Sequence, residues 1–275
     1  MTARAGRPWL RTLLMVALLI PIAFPLYWAL VASFTSEAAL FADPSLWPSD
    51  PIVSHYRTLF ATRDFWTPIR NSLVVAGLTT LFCVTVGSLA AYALARLEFR
   101  GKALILGFVL AVSMFPQISI VSPLYLLLRA MRLINTYPGL IMPYMTFAMP
   151  LTVWLLVGYF RQLPKDLEEA ALVDGASRLR AFTTIIIPLA MPGLATTAIL
   201  TFIYCWNEFL FALSFTLGPE RQTVPVAIAL FRGEYQVPWG EILAASVVAT
   251  VPVAAIVLLF QRRIVQGLTS GAVKG

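Results

Sequence analysis

Long stretches of this chain contain no charged residue at all. Residues 12–34, 71–95 and 242–261 have none, and each is at least as long as the roughly 20 apolar residues that a helix needs to cross a bilayer. Charged residues make up 12% of the whole chain, against roughly a quarter in soluble domains. Because backbone groups in lipid must satisfy one another, such runs fold as helices. The sequence therefore predicts an all-α integral membrane protein.

Six segments have the length and composition of membrane spans. They cover about residues 12–34, 71–95, 103–128, 133–160, 185–217 and 242–261, and the fifth is interrupted at residues 206–208. The first is longer than the apolar part of a signal peptide, so we interpret it as an uncleaved helix. Kinked or broken helices are predicted at the prolines of the third and fourth segments, Pro116, Pro123, Pro138, Pro143 and Pro150. We expect an N-terminal helix with an extracytoplasmic segment (residues 1–66), a main membrane domain (67–262) and a C-terminal cytoplasmic tail (263–275).

The basic residues are distributed unevenly between the two sides that six spans define. Thirteen of the 20 Lys and Arg residues fall on the side of the termini and seven on the other. Because cytoplasmic loops carry the excess of positive charge, both termini are predicted to be cytoplasmic. The same loops explain the net charge of +7, and no cluster of basic and aromatic residues outside the apolar runs indicates nucleic-acid binding. Cys83 and Cys205 lie inside apolar runs, so no metal site, disulfide or cofactor is expected.

A polar loop between the fourth and fifth segments has the sequence of a short helix with a sharp end. Pro164 suits the first helical turn, and the acidic residues that follow it place negative charge near the positive helix terminus. Gly175 predicts the end of this helix, since glycine takes the left-handed conformation without steric cost. Ser177 can cap a second short helix, which Pro188 is expected to close. This surface element is either an ordinary amphipathic helix or a docking site for another protein.

The same loop matches a spaced signature. Glu-Ala-Ala, three residues, Gly, nine residues and Ile-x-Leu-Pro is the signature loop of permease subunits in bacterial ABC importers, which this chain resembles at Glu169, Ala170, Ala171, Gly175, Ile185 and Pro188. Asp174 precedes the glycine, and Ile187 stands where the signature has leucine. Further resemblance, to the carbohydrate-uptake branch with its maltose- and trehalose-importer permeases of the MalG/SugB type, lies at residues 70–73, 206–209 and 267–275.

The resemblance implies a type I ABC importer permease fold with a cytoplasmic coupling helix, and it identifies residues 67–262 as the ABC transmembrane domain. Such permeases work in the bacterial inner membrane as one part of a complex. A second permease completes the pore as a heterodimer, ATPase subunits bind the coupling loop, and an extracytoplasmic binding protein delivers the sugar. This chain has no G-x-x-x-x-G-K-[ST] motif, so ATP is expected to bind the partner ATPases. The chain is therefore predicted to be a transport subunit rather than an enzyme.

The transported solute and the role of one buried acid stay open. A maltose- or trehalose-like sugar is the first expectation, with glycerol 3-phosphate or another oligosaccharide as alternatives. Glu208 is the one charged residue well inside a predicted span, where a carboxylate is usually functional. With Trp206 and Asn207 it is a candidate for the pathway or a gate; the alternative is a polar helix contact satisfied by Asn207 or by a partner subunit. A proton-coupled carrier is a further alternative, although it leaves the Glu169 loop unexplained.

Overall fold

The structure is a computed structural model that describes residues 8–42, 45–48, 50–231 and 237–269. These residues form helices and connecting segments, and no strand occurs among them. The helices in chain order are α1 (Pro8–Ser33), α2 (Glu37–Ala42), α3 (Ser54–Ala61), α4 (Trp66–Arg96), α5 (Lys102–Met114), α6 (Gln117–Ala130), α7 (Tyr137–Phe160), α8 (Asp166–Val173), α9 (Arg178–Ala181), α10 (Ile187–Trp206), α11 (Leu210–Phe215), α12 (Val224–Ala229) and α13 (Trp239–Thr269). A π-helical segment, Phe182–Ile186, joins α9 to α10.

Five helical stretches of the described chain are long and apolar enough to cross a membrane. They are Thr12–Ser33, Trp66–Arg96, Tyr137–Phe160, Arg178–Trp206 and Trp239–Gln261. The predicted tail begins as a continuation of α13 as far as Thr269, and the rest of that tail lies outside the described residues. The expected domain boundaries at residues 66 and 262 stay predictions.

The third predicted span, residues 103–128, is broken at Pro116, one of the prolines where a kinked or broken helix was predicted. The chain forms α5 and α6 there, which have the composition of one span together but meet at an angle of 92°. Phe115, at the elbow, has extended backbone angles (φ −73°, ψ 132°), as expected for a residue that precedes a proline. Pro116 therefore breaks the helix rather than merely bending it.

The fifth span starts before the predicted range of residues 185–217, and it is interrupted after Trp206, where the sequence predicts an interruption. Its helical stretch starts at Arg178 and ends at Trp206, after which the chain turns and begins again as α11. The fourth span starts at Tyr137 rather than at residue 133, because the Thr136 hydroxyl caps α7 by accepting from the Gly139 N–H at 3.2 Å. A Cβ on Gly139 would lie 2.0 Å from the Leu133 carbonyl oxygen, so this turn requires glycine.

One compact unit of the chain comprises residues 66–227 and 252–275. Its described part is organised around α4, α7 and α10, which pack against one another. Small residues allow close approach: a Cβ on Gly193 of α10 would lie 2.4 Å from the Tyr159 ring of α7. The hydroxyls of Thr152 and Thr201 join the same two helices by a buried hydrogen bond of 2.9 Å. This packing leaves α8 and α9 attached at the ends of α7 and α10.

The second unit comprises residues 1–65 and 228–251. In its described part, the Tyr56 hydroxyl of α3 lies 2.7 Å from the Ser33 hydroxyl at the end of α1. The start of α13 is held within the same unit, because the Gly240 N–H donates to Glu37 at 2.8 Å and Arg63 pairs with Glu241 at 2.9 Å. Short helices thus brace the first and last spans within this unit.

Candidate functional site

The first helix of the polar loop, α8, carries its charge where a helix favours it. Asp166, Glu168 and Glu169 occupy its first turn, near the positive end of the helix dipole. Lys165 is the residue that caps the helix, and its carbonyl accepts from the N–H groups of Glu168 and Glu169 at 3.0 Å each. Pro164 lies before this cap, so its predicted place in the first turn was wrong.

The end of α8 is a tight left-handed turn at Gly175. Its φ angle is +86°, as predicted. The Gly175 N–H donates to the Leu172 carbonyl at 3.1 Å, and the Ala176 N–H donates to the Ala171 carbonyl at 2.9 Å. These two bonds form a Schellman motif, which satisfies carbonyls at the end of the helix and reverses the chain. The angle between α8 and α9 therefore depends on this glycine.

The return to the membrane differs from the prediction. Ser177 caps α9 as expected, since its hydroxyl accepts from the Arg180 N–H at 3.3 Å. Pro188, however, does not close the second helix, because α9 continues through the π segment into α10 with Pro188 in the first turn of α10. The Ile187 N–H bonds to the Phe182 carbonyl, five residues back. A proline ring clashes with the carbonyl four residues earlier, and the wider π turn accommodates it without a break.

The two neighbouring glutamates of α8 face different environments. Glu168 is buried, with 6% of its surface exposed, whereas Glu169 is exposed. Most other residues of the signature are also accessible: Ala170, Asp174, Gly175 and Pro188 are exposed, and Ala171 and Ile185 are half-buried. One side of α8 is thus available to a partner and the other is fixed to the bundle. The roles assigned to the signature residues stay predictions.

The buried side of α8 contacts α4 through three side chains, which we call the Tyr92–Arg96–Glu168 cluster. The Tyr92 hydroxyl donates to Glu168 Oε1 at 2.5 Å, and Arg96 Nε lies 3.8 Å from Glu168 Oε2. Arg96 Nη2 donates to the Leu163 carbonyl, just past α7, at 2.7 Å. The Tyr92 ring also packs on Phe182 of the π segment, with 4.8 Å between the ring centroids. A cavity of about 320 Å³ lies beside the cluster.

The sequence interpretation missed this cluster. The signature contains Glu169 but not the adjacent Glu168, so only Glu169 was predicted to have a role. A signal was present, because Tyr92 and Arg96 are four residues apart and so share one face of a long helix that is otherwise uncharged over 71–95. A tyrosine and an arginine on one face near the end of an apolar helix indicate a polar contact there.

Glu208 caps α11. Its carboxylate accepts from the Phe211 N–H at 2.8 Å and from the Ala212 N–H at 3.2 Å. Carboxylates are favoured at a helix start, where N–H groups lack partners and the dipole is positive. The other two candidates for the pathway or gate have different surroundings. Trp206 is buried, and the exposed Asn207 donates to the Ile203 carbonyl at 2.8 Å. The buried carboxylate therefore has backbone partners in its own chain, and the Asn207 amide donates elsewhere.

Replacing Glu208 by glutamine is expected to destabilise the protein, because the amide offers one acceptor where the carboxylate offers two. The expected loss is about 1.5–3 kcal/mol of unfolding free energy, the range for a hydrogen bond to a charged group. Thermal unfolding of the purified protein measures it, with Asn207→Ala, at an exposed neighbour, as the control. An unchanged unfolding midpoint combined with lost uptake would assign Glu208 to the pathway instead.

A second polar network lies at the start of α4, where the sequence pattern singled out residues 70–73. The buried Asn71 amide donates to the carbonyls of Glu220 at 3.1 Å and Gln222 at 2.9 Å, and its oxygen accepts from the Tyr137 hydroxyl at 2.7 Å. A hydrogen bond of 2.6 Å from the Asn135 amide lowers the pKa of the Glu220 carboxyl. The loop before α12 is thereby fixed to the first turns of α4 and α7.

The fold and these sites agree with a known family of membrane components. The family model described as binding-protein-dependent transport system inner membrane component matches residues 83–270, well over half of the chain. The chain therefore belongs to this family of inner membrane transport components. The match also includes α8, the π segment and Glu208.

Two relatives and one solved structure show more specifically which proteins of this kind the chain is similar to. The chain is 47% identical to the trehalose/maltose transport system permease protein MalG of Thermococcus litoralis, over 92% of this chain and 91% of that protein. It is also 47% identical to the trehalose transport system permease protein SugB of Mycobacterium tuberculosis, over 91% and 92% of the two chains. The crystal structure of a bacterial ABC transporter involved in the import of alginate superposes with a TM-score of 0.80 at 22% identity, covering 95% of this chain and 98% of that chain. The predicted ABC importer permease fold is confirmed.

Proposed function

We propose that this chain is the permease subunit of an ABC importer for a trehalose- or maltose-like sugar. The observation that carries the proposal is the 47% identity to two trehalose-type permeases over about nine-tenths of each chain. Identity at this level over nearly the full length covers the spans and the polar loop alike. The chain would form the membrane pathway together with a second permease, as a heterodimer.

In this proposal α8 is the coupling helix, and it lies on the cytoplasmic side with both termini. Its support is the exposed acidic face that includes Glu169, the sharp end at Gly175 and the continuous connection through α9 and the π segment to α10. A docked ATPase would move α8 as its two subunits close, and the rigid connection would carry that movement into a spanning helix. An extracytoplasmic binding protein would deliver the sugar on the opposite side.

The chain itself would not hydrolyse ATP. Its three lysines, Lys102, Lys165 and Lys274, belong to no phosphate-binding motif. The energy would come from the partner ATPase subunits, so the protein is a transport subunit rather than an enzyme.

Two alternative functions share different parts of this proposal. A permease for glycerol 3-phosphate or another oligosaccharide keeps the coupling mechanism and changes the solute. A proton-coupled carrier needs a titrating group in the pathway, and Glu208 was its candidate. The two backbone N–H groups that donate to Glu208 support a structural role for that carboxylate instead.

The test is uptake into vesicles that contain the complete complex and receive the loaded binding protein outside and ATP inside. We expect uptake of labelled trehalose or maltose to require ATP and to be lost when the phosphate-binding lysine of the partner ATPase is replaced. Collapse of the proton gradient is expected to have no effect. Uptake that persists without a working ATPase but follows the proton gradient would overturn the proposal. ATP-dependent uptake of another solute, with neither sugar transported, would overturn its sugar part alone.

A further inference from the structure

We infer that the Tyr92–Arg96–Glu168 cluster is the joint through which movement of α8 reaches α4 and α7, with Glu168 as its positioning residue. This inference rests on the proposed function. It adds a second connection between α8 and the spanning helices, beside the one through α9 and the π segment to α10. Glu169 and Glu168 then have different roles in transmitting movement from the ATPase to the spanning helices. The exposed Glu169 faces the partner, and the buried Glu168 fixes the helix to its own bundle.

The cluster joins elements that are distant in the sequence. Glu168 lies 76 residues beyond Tyr92, and the two side chains connect α8 directly to the last turns of α4. Arg96 extends the connection to α7, since Nη2 donates to the carbonyl of Leu163. The covalent neighbours of α8 lead only to α7 and α9. The cluster therefore supplies a route from α8 to α4 that the chain connections do not provide.

The cluster restricts α8 to one position relative to α4. The side chains of Arg96 and Glu168 are 3% and 8% exposed, and charges at such burial are stable only when they are paired. A displacement of α8 relative to α4 would separate them, so α4 is pulled along when α8 moves. Packing of the Tyr92 ring on Phe182 connects the same joint to the π segment. Movement of α8 is thereby shared between α4, α7 and α10.

Arg96 also has unused hydrogen-bond donors that can bind Glu168 when α8 moves. Its Nε and Nη1 atoms are buried and make no hydrogen bond, and Nε lies 3.8 Å from the Glu168 carboxylate. An arginine and a carboxylate form a stronger, two-bond pair when they approach more closely. A shift of α8 towards Arg96 would close that pair through Nε and one hydrogen of Nη2, while the other Nη2 hydrogen keeps its bond to Leu163. The joint thus has a second arrangement available from the same residues.

The test measures how many ATP molecules are hydrolysed for each sugar molecule taken up by the reconstituted complex. Glu168→Gln removes the charge that faces Arg96, and Tyr92→Phe removes one hydroxyl; both preserve side-chain size. The matched control is Tyr56→Phe, which removes a tyrosine hydroxyl that lies 2.7 Å from the Ser33 hydroxyl, in the unit that does not contain α8. Co-purification of the ATPase and the thermal unfolding midpoint are recorded for every variant.

We expect both cluster variants to retain the ATPase and its basal hydrolysis, but to hydrolyse at least about fivefold more ATP per sugar than the unmodified complex. The double variant is expected to be no worse than the poorer single variant, since both changes break one joint. A merely structural role predicts lost co-purification, or parallel losses of uptake and hydrolysis with an unchanged ratio, and either result in Tyr92→Phe would overturn the inference. An unmodified complex that shows no ATP-dependent sugar uptake would instead overturn the proposed function.

Discussion

Gly175→Val is expected to reduce ATP-dependent uptake at least about tenfold while leaving the protein in the membrane. The φ angle of +86° costs a residue with a side chain about 1–2 kcal/mol, and a β-branched residue tolerates it worst. A Cβ at this position would meet no atom within 4 Å, so the effect comes from the backbone conformation and not from a clash. Without the left-handed turn the Schellman bonds are lost and the angle between α8 and α9 changes. About 1.4 kcal/mol already corresponds to a tenfold change in the population of the correct geometry.

The chain offers a matched control in Gly101, which precedes α5. Its φ angle is +90°, and a Cβ there would also meet nothing within 4 Å. Gly101→Val therefore introduces the same backbone strain in a different loop. We expect it to lower the unfolding midpoint by a similar amount and to retain uptake. Equal losses of uptake in the two variants would attribute the effect to general destabilisation, and normal uptake by Gly175→Val would exclude the coupling role of this turn.

Glu169→Lys is expected to release the partner ATPase. Reversing a charge near the positive end of α8 costs the helix about 0.3–1 kcal/mol, which is too little to unfold it. Loss of a paired charge at a protein interface costs about 2–5 kcal/mol, and the new lysine adds repulsion if the ATPase presents a basic residue there. The affinity between the two subunits is therefore expected to fall by roughly 30- to 4,000-fold. Co-purification of the ATPase with the permease measures the change.

Glu98→Lys is the control for this variant. Glu98 is exposed on the loop after α4 and lies beside the same cavity, so the substitution changes the local charge equally without touching α8. We expect the ATPase to remain bound. Release in both variants would mean that the overall field of this surface, and not the position of Glu169, holds the partner. Full co-purification with Glu169→Lys would exclude Glu169 from the interface.

The sequence predicted those features that depend on a few neighbouring residues. Gly175 and Ser177 were correctly assigned as an end and a start of short helices, because a left-handed turn and a hydroxyl cap are local events. Pro188 was assigned wrongly for the opposite reason. Phe182 and Ile186 are buried in the core, and their packing holds α9 and α10 together as one path despite the proline. Local sequence cannot report that packing.

The candidate site was predictable in position but not in its internal contacts. An acid in the first turn of a polar helix is usually solvated, and Glu168 is buried because Tyr92 and Arg96 lie opposite it in the folded chain. Glu208 posed the same difficulty. Its partners are backbone N–H groups that become available only where α10 ends and α11 begins. In both cases the burial was decided by where helices meet, which a single sequence does not contain.

The elbow between α5 and α6 constrains what can surround this protein. With 13 residues, α5 rises about 20 Å, less than the roughly 30 Å of a bilayer's hydrocarbon core. A span that begins with α5 therefore reaches its elbow within the hydrocarbon thickness. There the N–H groups of Gln117 and Ile118 precede the first hydrogen bond of α6, from the Ser119 N–H to the Pro116 carbonyl at 3.1 Å. The exposed side chains of Met114 and Phe115 are compatible with lipid tails, but those amide groups are not. This corner of the molecule has to be sealed by protein or wetted by water.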